Sequence, residues 1–472
     1  MKRIAVAMAA VLLASPHALL AQEPGDVDSF ALDRAIQYAA DHYPAVQAAV
    51  EQVTAATAGT IVARGVYLPR LDSLWQSNRA TANNIFGQML PQSIIPSLTG
   101  PALTSASSQS VWGSAAGALL TWEPVDFGLR KASVAAADAA VTQARAGEAV
   151  TRLEVQSAVG VAFLNVLAAE RTLIATQADV DRRDALARTV RALVDNQLRP
   201  GADASRAEAE RAAALTRRIQ AQQMLTLARA TLTRVLGVTT GVVRIDAETL
   251  LDRVPAASMA AGSPGGPSGP GGRVAHPLVQ ARRAAVDAAK AQQRVLAQTD
   301  RPRLYLQSSV FARGSGANPD GTFDGGADGL GLERANWAAG FQIVFPNVFD
   351  FSTLHARRAA AAASTRAESA RHDEALLTIT SDRQAASAMV EATRAVAANT
   401  PVQVAAAQQS VTQATARYQA GLAGIVEVAE AQNLIAQSEV QDQIARVDVW
   451  RALLAQAVAD GTIEPFLKLV RP

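Results

Sequence analysis

Val111-Trp112-Gly113-Ser114-Ala115-Ala116-Gly117-Ala118-Leu119-Leu120-Thr121-Trp122 reads as a β-strand with a marked face. Trp112, Ser114, Ala116, Ala118, Leu120 and Trp122 alternate with the other residues and so share one side. The two tryptophans are roughly 33 Å apart along an extended strand, a separation that places them near the two aromatic girdles of a tilted membrane strand. Three more segments share this grammar: Val66 to Ser77 with Trp75, Leu304 to Arg313, and Trp337 to Phe345. In the last, Trp337, Ala339, Phe341, Ile343 and Phe345 face away from Ala338, Gly340 and Gln342. Four of the five tryptophans (Trp75, Trp112, Trp122 and Trp337) fall in these segments, which favours a membrane barrel over a soluble sandwich.

Outward from the strands, the chain repeats itself. His42-Tyr43-Pro44 and His276-Pro277 open two helical stretches, and each proline is followed 25 residues later by Pro-Arg-Leu, at Pro69 and Pro302. Val125-Asp126-Phe127-Gly128 is answered by Phe349-Asp350-Phe351-Ser352. The offsets are 233, 233, 224 and, for the glycine turns Gly201 and Gly421, 220. A repeat of this length is a duplicated helix-strand-strand-helix unit, not a solenoid motif. Asn78 to Ser110 and Gly314 to Arg334 are polar and read as equivalent exposed loops.

Ser29 to Arg64 reads as a helix capped by Ser29 and kinked or restarted at Pro44. Leu129 to Leu198 has no proline, and Thr353 to Ala420 has no glycine and only Pro401. Helices of that length reach roughly 100 Å, more than a compact domain holds. After Gly201 and Gly421 the helical pattern resumes, to about Leu236 and Ala459. Frequent Ala permits close packing, and Leu, Val and Ile supply the seams. Thr462 to Pro472 reads as a short outer tail.

The ends of the chain and its composition set the address. Lys2, Arg3 and the apolar Ile4 to Ala14 form a signal peptide with cleavage after Ala21. The layout is then 1–21 signal peptide, 22–257 first repeat, 258–272 flexible Gly/Pro/Ser linker, and 273–472 second repeat. No later segment gives about 18 uninterrupted apolar residues, so no membrane-crossing helix is expected. The absence of Cys excludes disulfides, thiolate metal sites and a lipidated N-terminal Cys. A net charge of +2 makes no case for a nucleic-acid partner.

No catalytic, cofactor or metal motif stands out, so no enzyme and no cofactor is expected. His42 and His276 adjoin the repeat's prolines and read as packing or capping residues. The stretch with mechanistic weight is Tyr418-Gln-Ala-Gly421-Leu-Ala-Gly424-Ile-Val-Glu427-Val-Ala-Glu430-Ala-Gln432. Gly421 and Gly424 make a turn, and Glu427 and Glu430 share a helical face at i, i+3. Two readings stay open: a solvated acidic start to a helix, or, in a symmetric trimer, a ring of six carboxylates that selects cations.

At this turn, in Phe163-Leu164-Asn165-Val166-Leu167 and in the paired Pro-Arg-Leu strand starts, the chain resembles the TolC-type outer-membrane efflux proteins over about residues 30 to 465. The resemblance implies a mainly α chain with a membrane β-barrel portion. Four strands per chain would close a trimeric twelve-stranded outer-membrane barrel, continuous with a long periplasmic α-helical barrel. It implies a homotrimer in outer-membrane lipid that docks a periplasmic adaptor protein and an inner-membrane transporter. The acidic rings of the family's closed entrance map onto Glu427 and Glu430, and its gate tyrosine onto Tyr418. The tip turns at Gly201, Gly421 and Gly424 would meet the adaptor. An Arg that some members carry is Ala423 here. With Gly201 set against Gly421, Leu198, Ala207 and Glu210 stand at the positions of Tyr418, Glu427 and Glu430. That pairing puts the gate on the second copy and leaves the first as its scaffold. Arg199, Asp203 or Arg206 are the candidates to replace a missing salt-bridged lock.

The expected function is a passive exit duct of a tripartite efflux or type I secretion system, opened at its periplasmic tips. The rival is a periplasmic adaptor or structural coiled-coil protein, which would need no Trp-bounded strands.

Overall fold

The computed structural model describes residues 29–84, 89–96, 102–238, 243–247, 250–251, 276–324, 326–346 and 349–471. The expected signal peptide and the 258–272 linker lie outside these residues. The elements run β1 (Phe30–Ala31), α1 (Leu32–His42), α2 (Pro44–Gly65), β2 (Arg70–Thr81), β3 (Ser110–Val125), α3 (Leu129–Asp195), α4 (Gly201–Leu236), β4 (Ile245–Asp246), α5 (Pro277–Ala297), β5 (Arg303–Ser315), β6 (Arg334–Val344), α6 (Phe351–Gln419), α7 (Ile425–Asp460) and α8 (Glu464–Val470). The chain divides into two units. One comprises Met1–Ala39, Val159–Val254 and Ala397–Val447; the other comprises Ala40–Ala158, Pro255–Val396 and Asp448–Pro472.

The second unit carries an antiparallel sheet in the order β2-β3-β5-β6. β2 and β3 come from the first copy of the repeat and β5 and β6 from the second. Each β2-type strand starts just after a proline, Pro69 or Pro302, whose ring nitrogen cannot donate to a ladder. This moves β2 four residues beyond the expected Val66, and its far end takes in Asn78 to Thr81, read from sequence as loop.

Pairing Trp75 with Ala116, Ala116 with Ala312, and Val310 with Trp337 fixes one face of the sheet. That face is apolar and open to the outside: Trp75 is 73% exposed, Trp337 79% and Phe341 74%. Leu71, Leu120, Val310 and Ile343 lie exposed on it too. The opposite face carries Asp72, Gln76, Asn78, Gln307, Ser309, Asn336 and Gln342. Trp112 and Trp122 lie toward opposite ends of β3, as the sequence suggests. Trp122 donates its indole N–H to the Tyr67 carbonyl at 3.0 Å, and Trp112 lies 5.9 Å under the Arg79 guanidinium. Trp75, opposite Ala116, and Trp337, opposite Val310, lie nearer the middle of the sheet, so the four tryptophans do not fall into two rows at the strand ends.

The strand-to-helix corner is built on Asp126, which accepts from the backbone N–H of Gly128 and Arg130 and from the Arg130 side chain. Burial opposes its ionisation, but these donors outweigh it and hold its carboxyl below the usual range. Arg130 also stacks on Tyr67 at 4.7 Å. His276 caps α5, its ring accepting from Leu278 N–H at 3.1 Å, as the packing-or-capping reading anticipated. The C-terminal segment is not an outer tail: Phe466 and Leu467 of α8 are buried, and Phe466 meets Trp450 edge-on at 6.1 Å. The apolar side of Glu464-Pro-Phe-Leu-Lys-Leu-Val brings it in.

Among the described residues, the strands of the first unit are β1 and β4, two residues each and paired in parallel; its other elements are helices. That pairing starts α1 at Leu32, so Ser29 is not its cap. α3 and α6 run 67 and 69 residues, and α4 and α7 each run 36. One 18-residue window of α3 is apolar enough by length and composition to cross a membrane. Its seam residues Val159, Phe163, Leu164 and Val166 are buried in the fold.

Candidate functional site at the helix tips

The two tips end alike. After α3, Gln197 takes a left-handed φ of 60°; its N–H bonds to the Val194 carbonyl and Leu198 N–H to that of Leu193. After α6, Gly421 has φ 78°, and the matching bonds run from Gly421 to Tyr418 and from Leu422 to Arg417. Both are Schellman caps, which satisfy the last carbonyls of a helix. The turn of the first hairpin is therefore made by Gln197; Gly201 is the first residue of α4, after Pro200. Gly424 precedes α7 without a left-handed φ.

This resets the register of the repeat. Gln197 and Gly421, Leu236 and Asp460, and the left-handed Gly237 and Gly461 are each 224 positions apart, as are Val125 and Phe349. The offset of 220 at the tips is one helical turn off. At the true offset, Val194, Asp203 and Arg206 stand where Tyr418, Glu427 and Glu430 stand, not Leu198, Ala207 and Glu210.

Tyr418 is 1% exposed, in a cluster with Val190, Ala207, Ala414, Ile425, Val428 and Ala431. Its hydroxyl donates to an Asp203 carboxylate oxygen at 3.0 Å. The Arg199 guanidinium lies 4.3 Å over its ring and donates to its carbonyl oxygen. Burial, then the bond to Asp203 and the charge of Asp203, push the Tyr418 hydroxyl up to about 12, against a weaker pull from Arg199. Of the candidate lock residues, the structure brings Arg199 and Asp203 to Tyr418.

Glu427 and Glu430 are both exposed on α7. They do not share one environment: Glu427 pairs with the Arg417 guanidinium at 3.3 Å, while Glu430 has no ion-pair partner among the described residues. Arg417 was not singled out from sequence, although a cation beside Tyr418 across a short turn from an acid is a legible signal.

A second charge cluster lies further along the hairpin. Arg183, 1% exposed, donates to Asp179, to Glu210 at 2.9 Å and to Asn433 at 2.8 Å. Arg217 donates to the second Asp179 oxygen at 3.0 Å. Arg182 grips Glu439 through both oxygens at 3.0 and 2.7 Å. These bonds tie α3 to both α4 and α7. The i, i+4 spacing of Asp179 and Arg183 was visible in the sequence; their burial was not.

The exposed apolar sheet face, the paired helical hairpins and the tip contacts can be set beside known proteins. The CusC structure aligns with a TM-score of 0.73 at 14% identity, covering 92% of each chain. VceC of Vibrio cholerae aligns at 0.69 and 17% identity, covering 91% of this chain and 96% of its own. The open-state MtrE channel of Neisseria gonorrhoeae aligns at 0.67 and 19% identity, covering 92% and 90%. These likenesses establish the fold. No curated protein matches the chain by sequence. The outer membrane efflux protein family matches in two segments, residues 35–238 and 273–461, one in each copy of the repeat. The chain belongs to the outer membrane efflux protein family, a channel of the outer membrane that extends into the periplasm.

Proposed function

We propose that three copies of the chain form the passive exit duct of a tripartite pump or type I secretion system. The observation that carries this reading is the four-stranded sheet with one exposed apolar face, one polar face and two edges, β2 and β6, that pair with no further strand among the described residues. An open sheet with that face in lipid leaves backbone groups unsatisfied, and closure removes the edges. β6 of one copy then pairs with β2 of the next, and three copies of the four-stranded sheet close a barrel of twelve. Trp75, Trp112, Trp122 and Trp337 face the lipid. The repeats at 22–257 and 273–472 each contribute two strands and a helical hairpin, joined by the 258–272 linker.

The tips around Gly201, Gly421 and Gly424 receive a periplasmic adaptor, which couples the duct to an inner-membrane transporter. Docking separates Tyr418 from Asp203 and Arg199 and widens the entrance. Glu430, with Glu427 partly offset by Arg417, sets cation preference at the narrowest point. The chain carries no reaction, and a hydrolase screen is expected to be silent.

Membrane fractionation and gel migration test the assembly. The protein should need detergent, sediment with outer membranes and migrate as a heat-resistant trimer. A monomer soluble without detergent refutes the reading and favours the periplasmic coiled-coil alternative.

A further inference from the structure

The polar face of the sheet carries an apolar island near mid-strand. Leu74, Gly117 and Phe311 stand opposite one another in a cross-strand row, with Ala115 beside them. The island is covered from the β2–β3 connection. Ile95 is 2% exposed against Ala115 and Phe311, and Ile94 and Met89 pack around them. Gly117 leaves room for this cover. A methyl group there would sit 2.8 Å from the Phe311 Cβ and 3.1 Å from the Ile95 Cγ1. The covering turn is stapled by one side chain. The Gln92 amide oxygen accepts from Ile94 N–H at 2.6 Å and Ile95 N–H at 2.7 Å, while its NH2 donates to the Ile95 carbonyl at 2.6 Å.

We infer that residues 89–96 are a strap fastened across the inner wall of the barrel, and that this strap sets the upper size limit of what leaves the channel. The inference rests on the barrel reading above. The face bearing the strap is opposite the apolar outward face, so closure puts it in the lumen. A twelve-stranded barrel with strands about 4.8 Å apart and tilted about 40° has a backbone radius of roughly 12 Å. A segment packed face to face on a sheet stands about 10 Å from it. Three such straps leave an opening on the order of a few ångströms in radius, narrower than the barrel by severalfold. An apolar side chain on a water-facing wall would otherwise be unfavourable; fastening the strap is what the island does.

The cysteine-free chain allows a direct test from outside the cell. Tyr305 lies on the inner face of β5, on the periplasmic side of the strap. A Tyr305→Cys variant of the full chain is exposed on intact cells to a small charged maleimide and to a short polyethylene-glycol maleimide whose coil is narrower than the bare barrel but wider than the strapped opening, and labelling is read by mass spectrometry. With the strap fastened, only the small reagent should react. Adding Ile95→Ser, which removes the anchor, should raise labelling by the bulky reagent roughly tenfold, since passage is set by the narrowest radius. Gln92→Ala, which loosens the turn and leaves the packed island intact, should give the same change and serves if Ile95→Ser does not assemble. Bulky labelling without either substitution overturns the inference, and so does exclusion that persists with both. Failure of the barrel reading looks different: no heat-resistant oligomer forms in any variant, and neither reagent distinguishes them.

Discussion

Tyr418→Phe removes one oxygen from the tip and leaves the ring, its apolar neighbours and the Arg199 stack in place. What is lost is the bond to Asp203 at 3.0 Å. A hydrogen bond to a charged group contributes about 1.5–3 kcal/mol, and the lower value suits Asp203, which is only partly buried. Water can reach the abandoned carboxylate, so no large unpaired-charge penalty adds to it. If three tips release together, the closed state loses roughly 4–5 kcal/mol, because well-separated sites add. That is about a thousandfold rise in the open-to-closed ratio. Single-channel recording of the purified protein in planar bilayers reads this directly, as long openings where the unsubstituted channel opens briefly or not at all. Asp203→Asn should open the channel in the same way, and the double variant should add little to either single one. A Tyr418→Phe channel that opens no more often than the original refutes the bond as a closing contact. An effect that Asp203→Asn does not reproduce refutes Asp203 as its partner.

The same hydroxyl predicts an alkaline transition. Its value of about 12 when folded exceeds the ordinary value near 10, so its contribution is intact below about pH 10 and is lost as pH rises through 12. Openings should become frequent over that interval, and Tyr418→Phe should abolish the dependence. Ion selectivity should track Glu430 more than Glu427, because Arg417 offsets Glu427. Glu430→Gln alone should move the reversal potential in a KCl gradient further toward zero than Glu427→Gln; equal shifts would show that the pair with Arg417 does not persist in the channel. Asp179→Asn leaves Arg183, 1% exposed, without its most deeply buried carboxylate partner. Breaking a buried pair costs about 3–5 kcal/mol, so the thermal midpoint of the detergent-solubilised protein should fall by several degrees, and an unchanged midpoint would argue against burial of that cluster.

The sequence is explicit where a residue type leaves little choice. Pro69 and Pro302 cannot donate to a ladder, so the strands begin next to them. The long helices are legible because α6 holds no glycine and α3 only Gly147 and Gly160, while α4 and α7 end at Gly237 and Gly461. The tips are harder. A left-handed turn is usually sought at glycine, yet the first hairpin turns on Gln197, a rare case for a residue with a side chain. The nearest glycine, Gly201, lies four residues after that turn. Four residues are close to one turn of helix, so a register set on that glycine returns every apolar residue to nearly the same face and the seam pattern cannot expose the shift. The strap is hidden differently. Ile94 and Ile95 sit in a Pro- and Ser-rich segment whose composition reads as solvated loop, and only the pairing of Leu74, Gly117 and Phe311 gives them something to cover.

Correcting the register changes what the two copies do at the tip. With Gly201 set against Gly421, the first copy has no acid opposite Glu427 and looks like scaffold. At the offset of 224, Asp203 occupies that place, so both copies carry a carboxylate there. The two acids are then held by different partners. Asp203 accepts from Tyr418, a residue of the second copy whose own counterpart is Val194; Glu427 pairs with Arg417, whose counterpart is Leu193. The first copy thus lacks both partners that the second supplies, and it is the bond between Tyr418 and Asp203 that joins the two hairpins. One position escapes this pairing. Glu430 stands where the first copy has Arg206, and it has no ion-pair partner among the described residues. In a three-fold assembly the carboxylates at this position would therefore number three rather than six, because the first copy has Arg206 there. A ring of three carries less mutual repulsion than one of six and still attracts cations.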